Sequence, residues 1–484
     1  MFAGVRPLAR VGWAILGMAS TSLPVWAQND GPRQRCYDAA KIDPDQAIGA
    51  CAALIQAGRF IAGEPANLYA NRGLAHSRKG DADKALADYE QALKLNPRLG
   101  ATFSNRCDLY GQRTQYELAL RDCDRALQIN PRHANAYLNR GLVHQRKGDA
   151  EKALADYDQA LRLQPKFPAV LANRCKLHSD ANRHEAAIAD CDQALQLEPN
   201  LFSALLHRGL TWARQGQYDK AIADYDRAIA LRPTDALVRD NRGRALARKR
   251  EWSRAIAEFD EAIRLGKRDV GILIERGDAL RATGELERAL ADYDAALALD
   301  PRNAEAWLSR GLVFVRQRQF DRAIAEFDIA IEADPSYAPA FRWRAAARGE
   351  MGRVEEAIGD YGEAIRLSPD WAVAWNGRCW LRALRDKLEE ALVDCNEALR
   401  LDPAAAYILD SRGLVFLKMG RFAAAAADYD AAVKLRPDNA HALFGRGLAL
   451  LRKGDVETGN ADLDKAKGIN PKIAETYAAY GLQP

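Results

Sequence analysis

Apolar residues in this chain keep helical spacing and hold it in register over most of its length. Between Ala150 and Leu163, the residues Ala153, Leu154, Tyr157, Ala160 and Leu161 fall at i, i+1, i+4, i+7 and i+8, which is one face of a helix. The face returns every 34 residues. An Arg-Gly or Arg-Cys pair marks the step, through Gly73, Cys107, Gly141, Cys175, Gly209, Gly243, Gly277, Gly311, Ala345, Cys379, Gly413, Gly447 and Gly481. No insertion breaks the series, so twelve full repeats run from Ala66 to Ile473 and a partial one follows to Pro484. Numbering each repeat so that these residues are position 8, the pattern predicts two helices per repeat. Glycines such as Gly148, Gly216 and Gly284 close the first helix, where a left-handed cap is needed. Proline at position 32 closes the second in every repeat except the sixth, which has Lys267. Such repetition overrides the usual division of a 484-residue chain into independent globular domains.

Alanine holds position 27 throughout and position 20 everywhere but Gly459, so paired helices can approach closely. Small residue at 8, Ala at 20, aromatic at 24, Ala at 27 and Pro at 32 together resemble the tetratricopeptide repeat. The resemblance implies an all-α fold: antiparallel helix pairs stacked into a right-handed superhelical solenoid with a concave groove. No repeat buries its own apolar face, and its neighbours complete the core. The predicted organisation is a signal peptide over 1–27, a degenerate helical hairpin and join over 28–65, twelve repeats over 66–473 and a capping helix over 474–484. A second period is also present: glycine at position 15 recurs every 68 residues from Gly80 to Gly420, with Thr114, Asn182, Arg250, Arg318 and Asp386 between.

The first 27 residues read as a cleavable export signal. Arg6 and Arg10 precede the short apolar run Val11 to Ala19, and Val25-Trp26-Ala27 offers a cleavage site. Residues 1–27 hold two arginines and no acid, so without them the formal charge of +4 falls by two. That balance speaks against a general nucleic-acid or membrane-surface binder. The expected mature protein is periplasmic or secreted, with no membrane insertion after cleavage.

Eight cysteines form four sequence pairs: Cys36/Cys51, Cys107/Cys123, Cys175/Cys191 and Cys379/Cys395. Within full repeats they occupy positions 8 and 24 together or not at all. Other repeats mostly place Gly at 8 and Tyr or Phe at 24, so the two positions are expected to touch across the hairpin. Structural disulfides follow from that contact and from the export signal. Buried free thiols are the competing reading. Zinc and redox spacings such as C-x-x-C are absent. Position 7 is Arg and position 23 acidic in all twelve repeats, from Arg72 and Asp88 to Arg446 and Asp462. Joint occupancy points to an Arg–carboxylate pair, within or between repeats.

In the resembling family, first-helix positions 2, 6, 9 and 13 line the groove. Position 6 carries Asn71, Asn105, Asn139, Asn173 and Asn241, interrupted by His207. These resemble the asparagine ladder in the superhelical domain of O-linked N-acetylglucosamine transferase. An amide both donates and accepts, matching a peptide backbone; local packing is the alternative. Position 13 is basic at Arg78, Arg146 and Arg214, and in later repeats at Arg248, Arg316, Lys418 and Arg452, which would give the groove positive potential. Trp343 at position 6 and Trp380 at position 9 are candidate apolar anchors, with Tyr407 at position 2.

No catalytic motif, metal-ligand set or cofactor loop is present among the seven histidines and 34 glycines. The function expected is a non-catalytic exported scaffold that holds a protein or extended peptide in its groove. The alternative is a self-assembling structural solenoid. Neither oligomeric state nor partner identity follows from the residues.

Overall fold

The computed structural model describes residues 31–58 and 60–483; the expected signal peptide lies outside them. Among the described residues all regular structure is helical, and no helix is long and apolar enough to cross a membrane. The chain divides into two compact segments, one ending at Arg250 and the other starting at Glu251. Within each, every helix packs on the next in sequence, so long-range order is built from local neighbours.

A repeat is well represented by Ala134–Lys147 followed by Ala150–Leu163. The first helix ends where Gly148 turns left-handed at φ 90° and its N–H bonds back to Gln145 O. That left-handed residue is needed in every full repeat. Gly80, Gly148, Gly216, Gly284, Gly352, Gly420 and Gly454 supply it without strain, whereas Thr114, Asn182, Arg250, Arg318 and Asp386 adopt φ of 57–63°. The 68-residue glycine period is therefore a period in residue choice, laid over a backbone that repeats every 34.

The second helix ends in an extended residue, such as Gln164 at φ −138°, because the proline that follows disfavours helix before it. The sixth repeat shows the other solution. Its helix Trp252–Arg264 is one residue shorter, and Gly266 at φ 96° closes it in place of the proline exit.

Before the repeats, Gly31–Tyr37 and Pro44–Ala57 form a hairpin. Asp43 caps its second helix by accepting from the N–H groups of Asp45 and Gln46. A buried pair, Arg33 Nε to Glu64 at 2.6 Å, ties this hairpin to the helix Glu64–Lys79, which starts two residues before Ala66. At the other end, Ile473–Ala479 lies against the twelfth repeat. Tyr477 is fully buried there, and its hydroxyl donates to His441 O at 2.9 Å.

Candidate functional site

Position 8 meets position 24 in ten of the eleven hairpins that lie within one segment. A Cβ placed on Gly141 would stand 2.6 Å from the ring of Tyr157, and one on Gly277 would be 2.6 Å from Tyr293. Glycine is needed wherever a buried ring crosses at 24. Where both positions are cysteine, the same gap is closed covalently: Cys107–Cys123, Cys175–Cys191 and Cys379–Cys395 are disulfides with Cα separations of 5.4, 5.6 and 5.4 Å. Cys36–Cys51 joins the N-terminal hairpin at 4.8 Å. All eight cysteines are inaccessible to solvent, so the bridges staple hairpins and present no reactive sulfur.

The ninth repeat breaks the rule informatively. Ala345 occupies position 8, and Tyr361 lies close to the next repeat, as Tyr429 lies close to Gly445. A Cβ on Gly377, at position 6 there, would fall 2.4 Å from Cζ of Tyr361.

The position-7 arginine is engaged on both sides. In the eleven repeats lying wholly within one segment, Nε and Nη2 reach the position-23 carboxylate of the same repeat. Arg208 does so to Asp224 at 2.8 and 2.6 Å, and Arg344 to Asp360 at 3.0 and 2.6 Å. In eight of these repeats the third nitrogen, Nη1, reaches back to position 25 of the preceding repeat, as Arg208 to Asp192 and Arg276 to Asp260, both at 2.6 Å. Arg378 has no such arm because Gly362 stands at that place. Several of these guanidiniums also lie over a position-4 ring: Arg72 over Tyr69, Arg140 over Tyr137, Arg310 over Trp307. The hydrogen-bonded carboxylates hold the arginines Arg140, Arg174 and Arg208 above their ordinary range.

Among the residues expected to line a groove, the asparagines are partly occupied. Asn139 donates to Ser104 O at 2.9 Å across the repeat boundary, and Asn173 to Ala169 O at 2.9 Å in its own helix. Asn71 is buried with its Nδ2 unpartnered, while Asn105 and Asn241 are half-buried. Each bonded amide keeps its oxygen as an acceptor for a ligand.

The basic residues at position 13 do not stand free. Arg78 donates to Ile42 O at 2.7 Å and also to Ala39 O. Arg214 reaches Ser179 and Asp180 at 2.8 and 2.9 Å, and Arg146 lies 3.9 Å from Asp108. Lys418 donates to Ala383 O at 3.0 Å and Arg316 to Arg281 O. Arg316 and Lys418 thereby meet orphan carbonyls in the last turn of the preceding first helix, where the dipole favours a cation. Arg146 and Arg214 meet side-chain oxygens there instead, and Arg452 donates to Gln483 O at 3.0 Å. Part of the expected positive potential is thus taken up by contacts within the chain.

Family models described as tetratricopeptide repeat match residues 66–99, 108–174, 176–240, 241–301, 274–338 and 411–472, well over half of the sequence. The chain belongs to the tetratricopeptide-repeat family. Tetratricopeptide proteins are generally non-catalytic scaffolds that bind proteins or peptides. No curated protein matches the chain. Among solved structures it is similar to the APC/C hetero-tetramer Cut9-Hcn1, at 14% identity over 93% of this chain and 95% of that one, with a TM-score of 0.45. It is also similar to yeast Tom70, at 17% identity over 86% and 94%, with a TM-score of 0.42. A third is YrrB, described as a TPR protein with an unusual peptide-binding site, at 22% identity over 38% and 95%, with a TM-score of 0.31.

In the second segment the tetratricopeptide first helices carry large rings that stay partly open to solvent. Trp343 lies beneath the guanidinium of Arg342, 4.0 Å from the ring centroid. Trp380 packs against His441 and edge-on to Tyr480, at 5.3 and 5.5 Å between centroids. Tyr407 is 40% exposed, whereas position-24 rings such as Tyr293 and Phe327 are wholly buried. His441 Nδ1 pairs with Asp410 at 2.8 Å. No group of three or more potential metal ligands occurs among the described residues.

Proposed function

We propose that this protein is a non-catalytic, exported scaffold that holds an extended polypeptide or an envelope protein against its first-helix face. The observation that carries this reading is the contrast between rings. Position-24 rings are sealed in the core, while Trp343, Trp380 and Tyr407 stay at least partly accessible at face positions of neighbouring repeats. Aromatic side chains held on a rigid frame are effective binding anchors. Unused amide oxygens on Asn139 and Asn173 offer backbone-directed acceptors of the kind an extended peptide requires.

Export is supported by the signal-like first 27 residues together with four disulfides that leave no free cysteine. The periplasm or the exterior is the proposed location. The rows of charge are consumed by internal pairing, which leaves nucleic acid poorly served. The test is capture of partners from an envelope extract by the mature protein and by an Asn105→Ala, Asn139→Ala, Asn173→Ala triple variant. Unchanged recovery would remove the amides from the account, and no recovery by either form would count against the scaffold itself.

One observation favours a second reading, self-assembly. Position 30 leaves Leu95, Leu197, Leu231, Leu299, Leu435 and Ile469 between 38 and 55% exposed. Concentration-dependent oligomers on sizing would move the balance toward that surface.

A further inference from the structure

Past the twelfth repeat the chain starts one more first helix, Ile473–Ala479, which stops after 7 residues. First helices within the repeats run 13 to 16 residues and carry the position-8 glycine inside them, as Gly447 lies within Ala440–Lys453. Gly481 holds the same place in the partial repeat, yet it turns left-handed at φ 77° and closes the helix. Its N–H bonds to Ala478 O and that of Leu482 to Tyr477 O, both at 3.0 Å.

Beyond this turn the chain lies back on the first-helix face. Tyr480 stands edge-on to Trp380 with 5.5 Å between ring centroids, and 5.9 Å from the ring of His441. Gln483 O accepts from Arg452 Nη2 at 3.0 Å. Trp380, His441 and Arg452 stand at positions 9, 2 and 13, all of them positions expected to line the groove. Tyr477 is the pivot. Its ring lies 4.7 Å from that of His441 and 4.8 Å from that of Phe444, and its hydroxyl donates to His441 O at 2.9 Å.

A cap needs only to cover the apolar end of the twelfth repeat, and Ile473 and Tyr477, 2% and 0% exposed, do that. Tyr480 and Gln483 go further and cover the face itself. A first helix stacked in sequence meets the repeat before it. Contact with Trp380, three repeats back, is of the kind a groove ligand makes. The segment is also weakly tied. So short a helix has no stability of its own in water, and Lys472, Glu475, Ala478 and Ala479 are exposed. Past Ala479 it is held by the side chains of Tyr480 and Leu482 and by the Arg452 bond. Such thinly anchored ends open first.

We propose that residues 473–483 form a releasable plug, a built-in competitor that closes the face of repeats ten to twelve until a partner polypeptide displaces it. Trp380 is the shared ground, since it is also one of the anchors offered to a partner. The competition rests on the scaffold reading above, whereas the occupancy does not. A segment tethered so closely acts at an effective concentration on the order of millimolar. Against a Kd on the order of 100 μM for the free segment, the plug is closed about ten times in eleven and lowers a competitor's apparent affinity roughly tenfold.

The test uses the full mature chain. A fluorescent peptide of residues 472–484 is titrated against the parent and against a Tyr477→Ala, Tyr480→Ala double variant, whose own tail has lost both rings while the face is intact. The expected Kd is on the order of 100 μM for the variant and roughly tenfold weaker for the parent. Adding Trp380→Ala to the variant should weaken the peptide roughly fivefold or more. Native-state hydrogen exchange reads the plug in the unmutated chain. The bonded amides of Thr476, Tyr480, Gly481 and Leu482 should show protection of about tenfold, far below amides inside Ala440–Lys453. Equal peptide affinity for both chains, binding to neither, or tail amides that exchange only together with the twelfth repeat would overturn the plug.

Partner access is read by capture from an envelope extract at limiting bait. Tyr480→Ala should recover several-fold more than the parent, and excess tail peptide should suppress the gain. Equal recovery by the two chains would refute the competition. Recovery by neither, with peptide binding and exchange as expected, would count against the scaffold and leave the plug standing.

Discussion

Removing the carboxylate of Asp224 should open its hairpin far more than removing that of Asp192, although both touch Arg208. The side chain of Asp224 is 5% exposed, Arg208 19% and Asp192 45%. Breaking a buried ion pair from one side costs about 3–5 kcal/mol, because it leaves an uncompensated charge. Arg208 keeps some water and its second arm, so the lower end applies to Asp224→Ala, about 3 kcal/mol. Exposed pairs are worth about 0.2–1 kcal/mol, which bounds Asp192→Ala. Thermodynamic cycles with Arg208→Ala should return a coupling of about 2 kcal/mol for the inner arm and under about 1 kcal/mol for the outer. A stacked array does not unfold in two states, so a single unfolding midpoint is the wrong assay. Native-state hydrogen exchange of the amides in Phe202–Arg214 and Tyr218–Leu231 reads the opening free energy of this hairpin directly. Additive effects for Arg208 and Asp224, or an outer arm as costly as the inner, would refute the reasoning.

Three other outcomes follow from the same geometry. Exported protein, denatured without reductant, should present no alkylatable thiol, and paired Cys175→Ser and Cys191→Ser should weaken that hairpin by about 3 kcal/mol, the chain-entropy value for so short a loop; mass spectrometry and hydrogen exchange read both. Thr114→Gly should stabilise its hairpin by about 1 kcal/mol, because a β-branched residue is held at φ 60°, while Gly148→Thr should lose a similar amount by the same exchange measurement. His207 has its pKa lowered to about 4, first by burial and then by the charge of Lys176. The unfolded chain therefore takes up the proton first. The contribution of the neutral ring is complete above about pH 6.5 and is lost as pH falls toward 4, by about 2 kcal/mol at pH 5. A pH titration of hairpin opening should show this loss, and His207→Asn should abolish it.

The sequence displays the helix pairs plainly, because apolar spacing, alanine at positions 20 and 27 and proline at position 32 act locally and recur from repeat to repeat. Contact between positions 8 and 24 is also legible, since Gly with a ring alternates with Cys with Cys. The left-handed turn at position 15 is only half visible. Glycine announces it in alternate repeats, but Arg318 or Thr114 gives no sign that the backbone has forced it into the same conformation. The arginine–carboxylate pair of positions 7 and 23 can be seen in the joint pattern, whereas the second arm to position 25 is obscured by Gly362 and Asn396. The basic residues at position 13 mislead because their spacing matches an open face. Only the folded chain reveals that carbonyls or side-chain oxygens elsewhere in the chain engage many of them.

The central claim is that the first-helix face receives a partner polypeptide. A photo-crosslinking residue placed at Tyr407, on that face, and separately at Leu435, on an exposed second-helix position, tests it in intact cells. The account predicts a discrete crosslinked partner from position 407 and little from 435. Crosslinks confined to 435, or to further copies of the same chain at both positions, would contradict it.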